Sequence, residues 1–276
     1  MNRPVVIADL DGTMLHDAPT FEQRALSTYT IDTVDRLHQA GIRLAIATAR
    51  PVSTGLSMVN QLHADACIYL NGALVDFDPA HSDFASLTGV NDHAAGHLRK
   101  IGFDSDKAAA LCRRITESIG NVEIGIVMDD VRYTNFDVTK YWTTQTWRPS
   151  DFTDVPQGTA DKIIIFPDSA EQAEAIRPLI PDDFTVHVSE GRMWMLMHPH
   201  ANKEHAAQLL CRNWGVQPDD LVAFGDDTID IGMMQFAGTG VAVSNADPTV
   251  LDIADAIAPS NNDDGVARWI NAHILN

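Results

Sequence analysis

Pro4 to Ala8 form a short, continuous apolar run that stops abruptly at Asp9-Leu10-Asp11-Gly12-Thr13. An apolar run of this length without polar alternation reads as a strand buried on both faces, as in a parallel sheet. Behind it, Ile31, Val34, Leu37 and Ala40 repeat at helical spacing, and Gly41 ends the helix they define. Ile42 to Ala47 is the second strand, Pro51 to Leu62 a helix with proline in its first turn, and Ala66 to Leu70 the third strand. This strand-helix alternation predicts an α/β fold, a doubly wound parallel sheet.

The same rhythm returns at the far end. Asn202 to Trp214 reads as a helix, Leu221 to Phe224 as a strand and Ile229 to Phe236 as a helix. Val241 to Val243 is a strand, Val250 to Asp255 a helix, Ala256 to Ala258 a strand and Gly265 to Leu275 the last helix. The middle differs. Lys107 to Ile119 is amphipathic, and Val122 to Met128 with Val131 to Asn135 reads as a hairpin turning at Asp129-Asp130. Lys162 to Phe166 is a strand and Ser169 to Leu179 a helix. Phe184 to Ser189 and Met193 to Met197 are strands joined at Glu190-Gly191. Paired strands between helices predict an inserted α+β domain over 80–190, dividing the core into 1–79 and 191–276.

Composition narrows the function. The 276 residues include 38 Asp and Glu against 19 Lys and Arg, a formal charge of -19. Charging all 11 histidines leaves -19 + 11 = -8. Such a chain lacks the basic face that a nucleic-acid backbone requires and gains nothing at an anionic membrane. Its 3 cysteines, Cys67, Cys112 and Cys211, form no CxxC pair, which points to a reducing compartment. Val5 to Ala8 is too short for a secretory segment, and no run approaches the ~18 apolar residues of a spanning helix. A cytoplasmic protein is expected.

The chemistry gathers at the strand ends. Asp9 and Asp11 sit two apart where the first strand stops, the edge at which open α/β sheets bind ligands. Adjacent carboxylates repel unless a cation neutralises them, and oxygen-only ligands suit magnesium. The second strand ends in Thr48-Ala49-Arg50, Lys203 opens a helix, and the strand at 221–224 runs into Gly225-Asp226-Asp227-Thr228-Ile229-Asp230. Carboxylates, a hydroxyl and an ammonium are the set that phosphoryl transfer through a carboxylate needs.

These segments resemble the haloacid dehalogenase (HAD) superfamily, in its Cof-type branch with a large α/β cap (class IIB). Asp9 to Thr13 matches the first family motif, Thr48 the second, Lys203 the third and Gly225 to Asp230 the fourth. Asn71-Gly72-Ala73, Gly240 to Ala246 and Ser260 to Val266 also resemble that branch. The resemblance implies a Rossmann-like core with an inserted cap. It implies that Asp9 is the nucleophile and that Asp11 protonates the leaving oxygen and then activates water. Magnesium would be held by Asp9, the backbone carbonyl of Asp11 and Asp226, with Asp230 holding its waters or orienting Lys203. Thr48 and Lys203 would grip the phosphoryl group. Three positions depart from the pattern: Ile229 stands for an expected Asn, Ala49 for a Gly, and Glu204 for a small residue after Lys203.

Around that centre, Thr48, Ala49, Arg50, Asn71 and Lys203 are the expected substrate-binding set; Arg50 reaches toward the substrate or cap or is a solvated residue of the strand-helix turn, and Asn71 lines the crevice floor or forms the turn before Gly72. Asn245 and Asn261 brace the active-site loops or serve as simple caps. Trp142, Trp147 and Trp194 are read as core of the insert rather than as a stacking platform. His198 and His200 have no cysteine partners and are not read as a metal site. Met193, Met195 and Met197 alternate as one strand face. The expected function is a magnesium-dependent phosphatase for a small phosphorylated metabolite, monomeric or homodimeric. A phosphosugar mutase of the same superfamily and a non-catalytic phosphometabolite sensor are the alternatives.

Overall fold

The computed structural model describes residues 4–89, 96–189 and 192–275. The chain divides into two compact units, Met1–Asp83 with Asn202–Asn276, and Phe84–Ala201. The first boundary lies close to the expected one. The second lies at 201/202 rather than 190/191, because Met193–Met197 pairs antiparallel with Lys162–Phe166 and so joins the inserted unit. The Glu190-Gly191 turn falls outside the described residues.

In the first unit the strands stand in the order Ala256–Ala258, Thr239–Val243, Leu221–Gly225, Val5–Ala8, Leu44–Ala47, Ala66–Tyr69 and Leu74–Asp76. Neighbours run parallel except the last pair, which is antiparallel. Val5–Ala8, Leu44–Ala47, Ala66–Tyr69 and Leu221–Gly225 are buried at every position, as continuous apolar runs should be. Val5–Ala8 is central. Its Ala8 lies level with Ile46 on one side and Phe224 on the other. Chain order reverses across this strand, so its carboxyl end is the topological switch point of the sheet. Helices Thr28–Gln39 and Gly265–His273 pack together, as do Lys203–Trp214 and Ile231–Phe236. Thr28–Gln39 shows how local chemistry sets an element. Ser27 accepts from the Thr30 N–H at its start, while Thr30, Thr33, Val34 and Leu37 face the core.

The inserted unit carries a sheet in the order Thr185–Ser189, Met193–Met197, Lys162–Phe166, Glu123–Met128, Val131–Thr134 and Trp147–Pro149. Asp129 and Asp130 both take positive φ (52° and 62°) at the expected hairpin tip. One face of helix Ser105–Ile119, with Ala108, Leu111, Cys112 and Ile115, joins Ile124, Ile126, Ile163, Ile165 and Leu196 in the core. Trp194 belongs to that core. Trp142 and Trp147 do not: they are half-buried at its margin, where Tyr141 stacks on Phe166 with centroids 4.0 Å apart. The α/β class with an inserted α+β cap is therefore the observed fold. No helix among the described residues is long and apolar enough to cross a membrane.

Candidate active site

The switch point gathers side chains from four separated segments. Asp9 leaves the central strand, and Asp226 leaves the adjacent one a residue further along. Lys203 opens its helix behind the Asn202 cap, whose Oδ1 accepts from the His205 N–H at 2.7 Å. The fully buried Lys203 ammonium donates to Asp9 Oδ1 at 2.5 Å and to Asp230 Oδ1 at 2.6 Å. The other Asp230 oxygen accepts the N–H groups of Asp226 and Asp227, each at 3.1 Å. Asp230 thus ties the lysine to the turn that carries Asp226. Asp227 points outward and accepts from the Thr228 N–H, which closes a capping box with Asp230. It does not take over the place of the amide that Ile229 lacks.

Gly12 is required here. Its φ is +79°, and a Cβ at this position would run into the Asp226 carboxylate. The next residue, Thr13, donates its hydroxyl to Asp226 Oδ1 at 2.6 Å. Asn245 donates to the Gly12 carbonyl at 2.8 Å and accepts from the Asn261 N–H at 2.9 Å, and Asn261 donates to the Leu15 carbonyl at 2.9 Å. Both asparagines therefore brace the Asp9–Thr13 loop.

Charge is unbalanced at this centre. Asp9, Asp226 and Asp230 each offer a carboxylate oxygen, all within 4.8 Å of one another, against the ammonium of Lys203. Burial pushes the Asp9 carboxyl well above its usual range; Lys203 opposes this, while Asp230 and Asp226 add to it. Burial likewise pushes Asp226 up to about 7, against the Thr13 hydroxyl. For Lys203 burial acts downward, but Asp230 and Asp9 outweigh it and hold the ammonium protonated above its ordinary value. An all-oxygen donor set with uncompensated negative charge fits a hard divalent cation. The Asp11 carboxylate is not part of this group.

Asp11 faces another way. It receives Arg50 Nε at 2.6 Å and Arg50 Nη2 at 2.7 Å, one on each oxygen, and Arg24 Nη1 at 3.1 Å. Arg50 is not the solvated turn residue of one reading: its guanidinium is 2% exposed and all its nitrogens are engaged, Nη1 with the Thr54 carbonyl at 3.3 Å. Thr48 is fully buried two residues past Ile46, and its hydroxyl oxygen accepts from the Arg50 N–H at 3.0 Å. Ala49 lies half-buried between them. Asn71 takes a φ of +57° and donates its backbone N–H to the Thr48 carbonyl at 2.9 Å. Its side-chain amide is buried with neither atom hydrogen-bonded among the described residues. Glu204 accepts from Gln208 at 3.1 Å along its own helix. Thr13 and Arg24 were not anticipated as site residues. Thr13 lay inside the motif with no role assigned, and Arg24 lies in an irregular segment without a motif.

The fold and this centre together define an α/β protein with an oxygen-donor centre at the switch point of its sheet, and the relatives identify it as a phosphatase. A family model for haloacid dehalogenase-like hydrolases matches residues 6–270, and the chain belongs to that family. It is 35% identical over 267 residues to a phosphoglycolate phosphatase of Methanopyrus kandleri, covering 96% of this chain and 95% of that protein. It is 27% identical over 286 residues to the 5-amino-6-(5-phospho-D-ribitylamino)uracil phosphatase YitU of Bacillus subtilis, covering 98% of each. Among solved structures, the HAD subclass IIB sugar phosphatase BT4131 superimposes with a TM-score of 0.76 at 19% identity, covering 99% of this chain and 100% of that one.

Proposed function

We propose that this phosphatase hydrolyses a small phosphorylated alcohol, a sugar phosphate or close analogue, through an aspartyl-phosphate on Asp9, with magnesium as cofactor. The observation that carries the reading is the Lys203 ammonium bridging Asp9 and Asp230 at the sheet's switch point, beside Asp226. Lys203 anchors one oxygen of the Asp9 carboxylate. An Asp9 oxygen attacks phosphorus as the bond from phosphorus to the ester oxygen breaks, and Asp11 gives that oxygen a proton. Water then attacks phosphorus, Asp11 takes its proton, and the bond from phosphorus to Asp9 breaks to release phosphate. Lys203 and the Thr48 hydroxyl hold phosphoryl oxygens through both steps. The buried amide of Asn71 beside Thr48, without a hydrogen-bond partner among the described residues, gains its hydrogen bonds from a bound ligand.

Asp9, Asp226 and the Asp11 backbone carbonyl would hold magnesium, with Asp230 behind them on Lys203. When bound, the ion neutralises charge that develops on the phosphoryl group. The substrate class is supported by what the relatives share: phosphoglycolate and the phosphoribityl compound both carry phosphate on a small alcohol. The free, buried thiols Cys67, Cys112 and Cys211 support a cytoplasmic setting.

The test is phosphate release with magnesium from a panel of sugar phosphates, flavin mononucleotide, pyridoxal phosphate and an aryl phosphate. Release should vanish with Asp9→Asn and with a chelator. Release that survives Asp9→Asn, or isomerised sugar phosphate without free phosphate, would overturn the reading.

A further inference from the structure

Arg50 is held more completely than any contact with a passing ligand requires. Its Nε and Nη2 meet the two oxygens of Asp11 in a fork, at 2.6 and 2.7 Å. Nη2 also donates to the Phe21 carbonyl at 3.3 Å, and the Phe21 ring lies 4.0 Å from the guanidinium carbon. Nη1 donates to the Thr54 carbonyl at 3.3 Å. The Arg50 N–H bonds the hydroxyl oxygen of Thr48 at 3.0 Å, so the side chain is rooted beside the proposed phosphoryl ligand. At 2% exposure it offers no face to solvent. A planar, bidentate guanidinium fixes both the position and the plane of a carboxylate, which a lysine cannot do.

We infer that Arg50 is a positioning residue for Asp11: it aims the carboxyl group that protonates the departing oxygen, and it does not bind the substrate. The inference rests on the proposed role of Asp11 as acid. It matters because general acid catalysis falls off steeply when the proton donor is misplaced. Arg24, 31% exposed and bonded to Asp11 Oδ1 alone, is the outer and weaker member of the pair. A buried fork of this kind could instead stitch the Phe21–Gln23 turn to the sheet. The two roles differ in which substrates suffer.

The experiment compares kcat/KM for an alkyl phosphate, whose alkoxide needs a proton as it leaves, with p-nitrophenyl phosphate, whose phenolate does not. This parameter reports events up to leaving-group departure, so the later water step does not enter. Asp11→Asn is the reference. It should lose about 10²-fold or more on the alkyl phosphate and far less on the aryl one. Arg50→Gln should copy that selectivity, with at least a tenfold greater loss on the alkyl substrate, and Arg50→Lys should fall between. Thermal melts show whether each variant folds, and Arg50→Lys carries the comparison if Arg50→Gln does not. A selective Asp11→Asn with equal losses on both substrates for the Arg50 variants overturns the positioning role alone. Equal losses for Asp11→Asn overturn the acid role and the Arg50 inference with it.

Discussion

Asp230 has no side-chain oxygen to spare for a ligand without giving up a bond to the protein. One oxygen holds Lys203 and the other holds two backbone N–H groups. Removing it relieves repulsion on Asp9 and Asp226 but leaves the buried Lys203 ammonium with Asp9 alone and takes the acceptor from two part-buried N–H groups. The losses outweigh the relief, because breaking one side of a buried pair costs about 3 kcal/mol or more. Asp230→Ala should therefore lower the unfolding free energy measured by urea denaturation by that order, as well as reduce activity. Near wild-type stability would mean that Lys203 is held by Asp9 alone. At this scale the sequence showed identities but not directions. Asp9, Lys203 and Asp226 were legible because their spacing put them at strand and helix ends. The orientation of Arg50 toward Asp11 was not, since no local pattern records a contact across 39 positions.

The elements explain why the rest of the site was legible. Continuous apolar runs at 5–8, 44–47, 66–69 and 221–225 are buried strands; three of them deliver a polar successor, Asp9, Thr48 and Asp226, and the fourth is followed by Leu70 and then Asn71. Helix ends shifted by a residue or two where caps decided them. Asn202 and Asp227 became caps, and a short turn over Thr228–Asp230 replaced the expected start of the next helix. The strands Leu74–Asp76 and Trp147–Pro149 were missed because each is only three residues long and, unlike Ala256–Ala258, has no place in the strand-helix alternation to mark it. Trp147–Pro149 also ends in proline, which a strand tolerates at a sheet edge, where this one lies. The affiliation of Met193–Met197 was illegible for a different reason. Its pairing with Thr185–Ser189 follows from the strand order, but its other partners, Ile163 to Ile165, lie some thirty residues away, and a strand's own residues do not name such a neighbour.

The molecule as a whole is strongly acidic, and its most crowded carboxylates are buried together. The folded value of Asp226, about 7 against an ordinary 3.8, means that the native state binds this proton more tightly than the unfolded chain. Its stabilising contribution is complete below pH about 4 and is lost as pH rises through 7. Asp9 shifts in the same direction. In the presence of a chelator the melting temperature should fall between pH 5 and 8, and saturating magnesium should shrink that fall by favouring the charged carboxylates. Asp226→Asn should flatten it. A fall that neither magnesium nor the substitution changes would assign the pH dependence to general charge repulsion. Asp161 of the inserted unit, raised by burial to about 6, adds a component that magnesium should leave alone.

The central claim is that phosphate passes through a covalent bond to Asp9. Acid quenching during turnover, borohydride reduction of any acyl phosphate and mass spectrometry of the peptides test it directly. Asp9 should be the residue converted to homoserine, and the signal should be absent without substrate or in Asp9→Asn. Steady phosphate release with an unmodified Asp9, or with the modification on another carboxylate, would contradict the account.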